Sequence, residues 1–202
     1  MFRLYSGFRM EKVPAPASCN VTVIATPLAG VMLLEVRAFG DARGYLFEAW
    51  QADNYAALGL GEFRQDNFSR SKQGILRGLH YQLTQPQGKL VTVARGAIWD
   101  VCVDIRVGSP TYGKWFGTEL SDQNHRQLWI PPGFAHGFYV LSDEADVAYK
   151  CTTTRLAGDE YGVAWNDPEL AIDWPTSSPI LSDKDAAAPH LRDAQEHLPR
   201  FE

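Results

Sequence analysis

Five histidines are present, and two sit where a side chain can do chemistry. His80 lies in the run Ile75-Leu-Arg-Gly-Leu-His-Tyr-Gln82, three residues after Arg77. On an ideal strand that odd separation sends the two side chains to opposite faces. They converge on one pocket only if Gly78 marks a bulge, as a glycine inside a strand often does. His136 follows the rigid turn of Pro131-Pro-Gly-Phe-Ala-His136. Taken singly, each is equally readable as an ordinary hydrogen-bonded strand histidine, and His125, His190 and His197 carry nothing more specific. A metal site is poorly supported. Small β-barrels that bind zinc or iron carry His-x-His on one strand, whereas here that position reads His80-Tyr81-Gln82. No CxxC or HExxH occurs, and two histidines alone make a weak site. Arg43, Arg77 and Lys89 are flanked by apolar neighbours, so each needs a carboxylate or a phosphate. Internal ion pairs to Glu48, Asp100 or Asp104 are the plain alternative to an anionic ligand. Tyr149, in Ala148-Tyr-Lys150, shares a face with Val147 and Cys151 and reads equally as a core tyrosine.

These groups need strands to hold them. Val31–Phe39 and Tyr45–Gln51 read as strands joined by the turn GDARG. Asp53–Leu60 reads as a short helix, capped by Asp53 and stopped by Gly59 and Gly61. Next, Gln65, Asn67 and Ser69 alternate with Arg64, Asp66, Phe68 and Arg70. That amide and hydroxyl face must meet solvent or a polar cavity. Ile75–Gln82 and Lys89–Ala94 follow. Trp99, Val101, Val103 and Ile105 then alternate with Asp100, Cys102, Asp104 and Arg106, a clean period of two. Further strands are predicted at 114–120, 127–130, 137–141 and 147–153. About ten short strands with Gly and Pro punctuation predict a β-sandwich or barrel. Towards the C-terminus, Ser182 is placed to cap DKDAAA, and Leu191, Ala194 and Leu198 recur at helical spacing.

The chain has 202 residues, enough for one domain with a sizeable core. Residues 1–20 lack any period and read as a tail, leaving 21–202 as the domain. With 45% apolar and 21% charged residues the composition is that of a globular chain. A net charge of −5 argues against a nucleic-acid surface but leaves room for a local basic pocket. No run approaches the ~18 apolar residues of a membrane span. Three cysteines without metal-type spacing, Cys102 and Cys151 in strand-like runs, predict buried thiols. With no signal-peptide pattern at Met1–Met10, the expected compartment is the cytoplasm.

The runs GDARGYLFEAW (40–50), FRQDNFSRSKQGILRGLHYQ (63–82), QGKLVTVARGAIWDVCVDIRVGSPTYGKW (87–115), RQLWIPPGFAHGF (126–138), AYK (148–150), GVAWNDPELAIDWP (162–175) and LSDKDAAAP (181–189) resemble the dTDP-4-dehydrorhamnose 3,5-epimerase family. Seven motifs in one order make the resemblance specific, and it spans roughly 21–194. It implies an all-β, cupin-type sandwich (jelly roll) with short peripheral helices, working as a homodimer without metal or other cofactor. It implies inversion of C3 and C5 of dTDP-4-dehydro-6-deoxy-D-glucose to give dTDP-4-dehydro-L-rhamnose.

The resemblance matches His80 to the catalytic base, Asp185 to its orienting partner and Tyr149 to the catalytic tyrosine. Lys89 is the expected stabiliser of the developing enolate charge, with His136 beside it. Arg43 and Glu48 match residues near the sugar nucleotide, in a region that reaches across the family's dimer. Gln65 and Asn67 match its amide face, Arg77 and His136 line its sugar and diphosphate site, and Glu160 and Lys184 contact its nucleotide end. Where the family usually stacks an aromatic on thymine, this chain has Arg155, whose guanidinium can also stack. Three other functions stay open at this point: a single-centre epimerase on a related dTDP-4-keto-deoxysugar, a non-catalytic cupin that binds a sugar nucleotide, and a metal-dependent cupin oxygenase.

Overall fold

A computed structural model describes residues 20–201. The sequence-predicted tail, apart from Asn20, and Cys19 lie outside them. Two antiparallel sheets stack face to face. One holds six strands in the order β1 (Val21–Ala25), β2 (Met32–Val36), β10 (Arg126–Ile130), β7 (Lys89–Arg95), β12 (Glu144–Cys151), β5 (Gln65–Lys72). The other holds β13 (Glu160–Gly162), β6 (Leu76–Gln82), β11 (Phe134–Val140), β8 (Ala97–Asp104), β9 (Trp115–Ser121). A detached hairpin pairs β3 (Ala38–Asp41) with β4 (Gly44–Phe47). The expected sandwich class holds.

The period of two divides each strand between two environments. From β8, Ile98 and Cys102 enter the core between the sheets with Phe116, Leu128 and Val147, while Trp99, Val101 and Val103 face outwards. That outer face is covered by the C-terminal segment through Leu170, Trp174, Leu191 and Leu198. Helix α1 (Ala52–Ala57) buries Tyr55 against Leu34, Leu90 and Trp129 on the far side of the six-stranded sheet. The inter-sheet core is apolar at one end. At the other, β5 and β13 are sheet edges and the inward residues turn polar.

Several boundaries differ from the sequence prediction. The strand expected over 31–39 breaks at Arg37, because β3 leaves the sheet to form the hairpin. The strand expected over 45–51 is only β4, and the helix cap is Gln51, whose Oε1 accepts from Asn54 N at 2.7 Å, with Asp53 inside the first turn. His136 is the third residue of β11, since the strand starts at Phe134. The helical spacing after His190 forms a 3₁₀ turn, Leu191–His197. Ser182 does cap α2 (Asp183–Ala186), its Oγ accepting from Asp185 N at 3.1 Å. Cys102 and Cys151 are buried free thiols.

Candidate active site

Arg77 and His80 do reach the same cavity. Across β6 and β11, His136 pairs with His80 and Phe138 with Arg77, so three steps on β6 oppose two on β11. The extra residue sits at Gly78, with φ +119°. A Cβ there would lie 2.5 Å from Gly137 Cα and 2.7 Å from the His136 carbonyl oxygen. Only glycine fits. Leu76, Leu79 and Tyr81 consequently all face the outer core, leaving Arg77 and His80 inward.

These two, with His136 from β11, face Lys89 of β7 and Tyr149 of β12 across a cavity of about 470 Å³. A second lobe of about 390 Å³ shares His80, Lys89, Tyr149 and Glu160, and adds Gln65, Asn67 and Arg155. The two lobes form one cleft between the sheets. The amide face of β5 is therefore the wall of a polar cavity. Gln65 Nε2 donates to Asn67 Oδ1 at 2.9 Å, and Gln65 Oε1 accepts from Arg155 N at 2.8 Å.

Two histidine–carboxylate pairs stand in the cleft. His80 Nε2 lies 2.5 Å from Asp185 Oδ1, where α2 places the carboxylate, 5% exposed, behind the ring. Burial pushes the Asp185 carboxyl up, but the His80, Ser182 and Gly78 hydrogen bonds outweigh it and hold it below the usual range. An ionised carboxylate only accepts, so it fixes the proton of neutral His80 on Nε2 and leaves Nδ1 basic. His136 Nε2 lies 2.7 Å from Asp100 Oδ1. Burial, helped by Lys89 and His80, holds the His136 imidazole below its ordinary value against the pull of Asp100. His136 is thus neutral and presents an acceptor.

Burial likewise pushes the Lys89 ammonium down, opposed by Cys151, Asp100 and Glu160. None of the expected internal ion pairs forms. Asp100 is taken by His136, Asp104 by Arg106, Ser109 and Thr111, and Glu48 by Asn20. Among the described residues Lys89 has no carboxylate partner, and the one side-chain hydrogen bond of Arg77 is Nε donating to Ser71 Oγ at 2.9 Å. Both cations are free to meet an anionic or carbonyl oxygen. Burial raises the Tyr149 hydroxyl, with Cys151 and Glu160 adding to it, so it remains a donor at neutral pH. At the mouth, Glu160 Oε2 bridges Arg155 Nη2 and Lys184 Nζ, each at 3.1 Å.

Two sequence-predicted residues stay outside. Arg43 sits at the tip of the β3–β4 hairpin, 90% exposed and paired with Asp41, and Glu48 accepts from Asn20 Nδ2 at 2.6 Å. Neither lines the cleft of its own chain. Conversely, sequence reasoning weighed Asp100 only as an ion-pair partner and passed over Ser71. Alternation alone would turn Asp100 to solvent; it lies inside the sandwich because the C-terminal segment covers the opposite face, that of Trp99, Val101 and Val103. No group of three or more His, Cys, Asp or Glu arranged for a metal is found among the described residues.

Comparisons with known proteins point to one family. The family model described as dTDP-4-dehydrorhamnose 3,5-epimerase matches residues 25–193. The enzyme of that name from Pseudomonas aeruginosa is 51% identical over 178 residues, covering 87% of this chain and 97% of that protein. A dTDP-4-dehydrorhamnose 3-epimerase from Streptomyces niveus is 42% identical over 172 residues, covering 84% of this chain and 83% of that protein. The crystal structure of dTDP-6-deoxy-D-glucose-3,5-epimerase from Legionella pneumophila, in complex with dTDP-4-keto-L-rhamnose, superimposes with a TM-score of 0.87 at 52% identity. It covers 90% of this chain and 99% of that one.

Proposed function

The chain belongs to the dTDP-4-dehydrorhamnose 3,5-epimerase family, and from that premise we propose that it inverts C3 and C5 of dTDP-4-dehydro-6-deoxy-D-glucose, with His80 as base and Tyr149 as acid. The observation that carries this reading is the placement of these two groups on opposite sheets of one cleft. The C4 ketone acidifies the hydrogens on C3 and C5. His80 Nδ1 takes the proton, the C–H electron pair becomes a C=C bond, and the carbonyl π pair moves onto O4. Lys89 Nζ stabilises that oxyanion. Asp185 stabilises the imidazolium. The Tyr149 hydroxyl then gives its proton to the other face of the carbon, which inverts it. Without an acid opposed to the base, the proton returns to the face it left. The substrate carries its own activating ketone, so this reaction draws on no cofactor.

Arg77, anchored by Ser71, offers its remaining N–H groups to the diphosphate. Arg155, Glu160 and Lys184 form the nucleotide end, and Gln65 and Asn67 the wall between. The protein acts as a homodimer in which the hairpin carries Arg43 and Glu48 towards the partner's cleft. Its exposed Phe39, Tyr45 and Leu46 supply apolar surface for that contact. Mixing Arg43→Ala and His80→Ala chains tests this. Activity recovers if one cleft receives both intact residues, and stays at the level of the single variants if Arg43 serves its own chain. No helix among the described residues is long and apolar enough to cross a membrane. The free buried thiols fit a cytoplasmic enzyme.

Similarity to a 3-epimerase gives a second reading, inversion at one carbon. Proton NMR of the dTDP-4-keto sugar in D₂O decides. Deuterium at both C3 and C5 of the product supports double inversion, label at one carbon supports the single-centre enzyme, and no label removes both.

A further inference from the structure

Behind the cleft, two buried oxygens on a registered pair of residues have no hydrogen-bond partner among the described residues. Asp100 is 0% exposed, its Oδ1 holds His136 Nε2 at 2.7 Å, and its Oδ2 has no hydrogen bond. Thr118 stands directly opposite on β9, paired in register with Asp100, and is 1% exposed. Its Oγ1 also lacks a partner. The neighbours of Thr118 on the same inward face are Phe116 and Leu120, so the hydroxyl interrupts an apolar row at the one position that faces the carboxylate. Registered residues of an antiparallel pair share a face with Cβ atoms roughly 5 Å apart. That spacing suits one bridging molecule.

We propose that Thr118 is a positioning residue for the epimerisation: its hydroxyl, through one buried water, holds Asp100 Oδ2, and thereby fixes the proton of His136 on Nε2. Buried waters occur where otherwise unsatisfied polar groups converge, and two to four such partners suffice to hold one. With Asp100 pinned at both oxygens, His136 cannot turn, and its Nδ1 stays an acceptor in the cleft for the Lys89 ammonium or a substrate hydroxyl. Lys89 and His80 interact electrostatically with His136, and Lys89 and Cys102 with Asp100, so the charge of this carboxylate is felt by the cation in the cleft. The role assigned to Thr118 rests on the epimerase reading. The water and the tautomer do not.

Three measurements test it. A high-resolution crystal structure of the unaltered protein is expected to show a water within about 3.2 Å of both oxygens. An empty gap overturns the proposal, whatever the variants do. In protein labelled with ¹⁵N-histidine, two-bond ¹H–¹⁵N spectra are expected to show His136 as the Nε2–H tautomer. Thr118→Val, nearly isosteric but without the hydroxyl, is expected to mix the two tautomers. It is also expected to lower kcat for C3 and C5 exchange about 10-fold or more, with KM changed less than about twofold. Thr118→Ser restores both. If Thr118→Val keeps the wild-type tautomer and kcat, the proposal is wrong. If the wild-type protein exchanges neither hydrogen, the epimerase reading fails instead, while the crystal and tautomer results still judge the Thr118 bridge.

Discussion

Replacing Asp185 by Asn leaves the size of the side chain and removes its charge. In the structure this carboxylate is 5% exposed and lies 2.5 Å from His80 Nε2, while the imidazole is 29% exposed to the cleft. During proton abstraction His80 becomes a cation, and the pair becomes an ion pair with charge centres roughly 4 Å apart. At an effective dielectric constant near 20 that attraction is about 4 kcal/mol. Each ~1.4 kcal/mol of barrier is tenfold in rate. Allowing for the exposure of His80, Asp185→Asn is expected to slow C–H exchange by roughly 10²–10³-fold. Ligand binding is expected to change little, since no atom of the nucleotide needs this group. The assay is stopped-flow or NMR-detected loss of the C3 and C5 protons in D₂O, with saturating substrate, alongside calorimetric binding of dTDP. Exchange within about threefold of wild type would refute the assignment of His80 and Asp185 as a working pair.

Tyr149→Phe removes the acid and leaves the base, so deuterium is expected to enter substrate through His80 without inversion. Inverted product forming at more than about 1% of the wild-type rate would mean that another group serves as the acid. Gly78→Ala drives a Cβ to 2.5 Å from Gly137 Cα at φ +119°. It is expected to cost at least about 3 kcal/mol in urea unfolding, and a well-folded variant would show that the bulge does not require glycine. Burial raises the Asp104 carboxyl, but Arg106, Ser109 and Thr111 outweigh it and leave Asp104, like Asp185, below the usual carboxylate range. The unfolded chain therefore takes up these protons first. Their stabilisation is full above about pH 4 and is lost as pH falls through the depressed values. Urea midpoints from pH 6 to pH 2.5 should drop, and Asp104→Asn should flatten the drop. A midpoint constant over that range contradicts the sign.

Alternation made much of the sandwich legible. Trp99, Val101 and Val103 against Asp100, Cys102 and Asp104 reads as a strand, and the structure adds that both of its faces are buried. Gln65 and Asn67 marked a face for solvent or a polar cavity, and the structure puts it on the cavity. Gly78 was readable as a bulge, although only the pairing of His136 with His80 and Phe138 with Arg77 established it. What the residues did not reveal arises from contacts across sheets. The bond between His80 and Asp185 joins positions 105 apart, and that between His136 and Asp100 positions 36 apart. No local period encodes either. The turn GDARG between two strands was read from the sequence, but the break at Arg37 that detaches the hairpin was not. The hairpin's residues have strand propensity, and nothing local in them says whether the pair joins a larger sheet or stands apart.

Base and acid stand on different sheets, His80 on the five-stranded one and Tyr149 on the six-stranded one. The gap a sugar ring must bridge is thus set by the thickness of the apolar filling between them, including Phe116, Phe138, Leu128 and Val147. Of these only Phe138 borders the cleft, and the others act as shims from behind it. Exchanging one for a bulkier or slimmer neighbour would widen or narrow the jaws and retune which carbon is reached. Stereochemical outcome in such an enzyme is accessible to drift in its interior, without any change to the groups that move the proton.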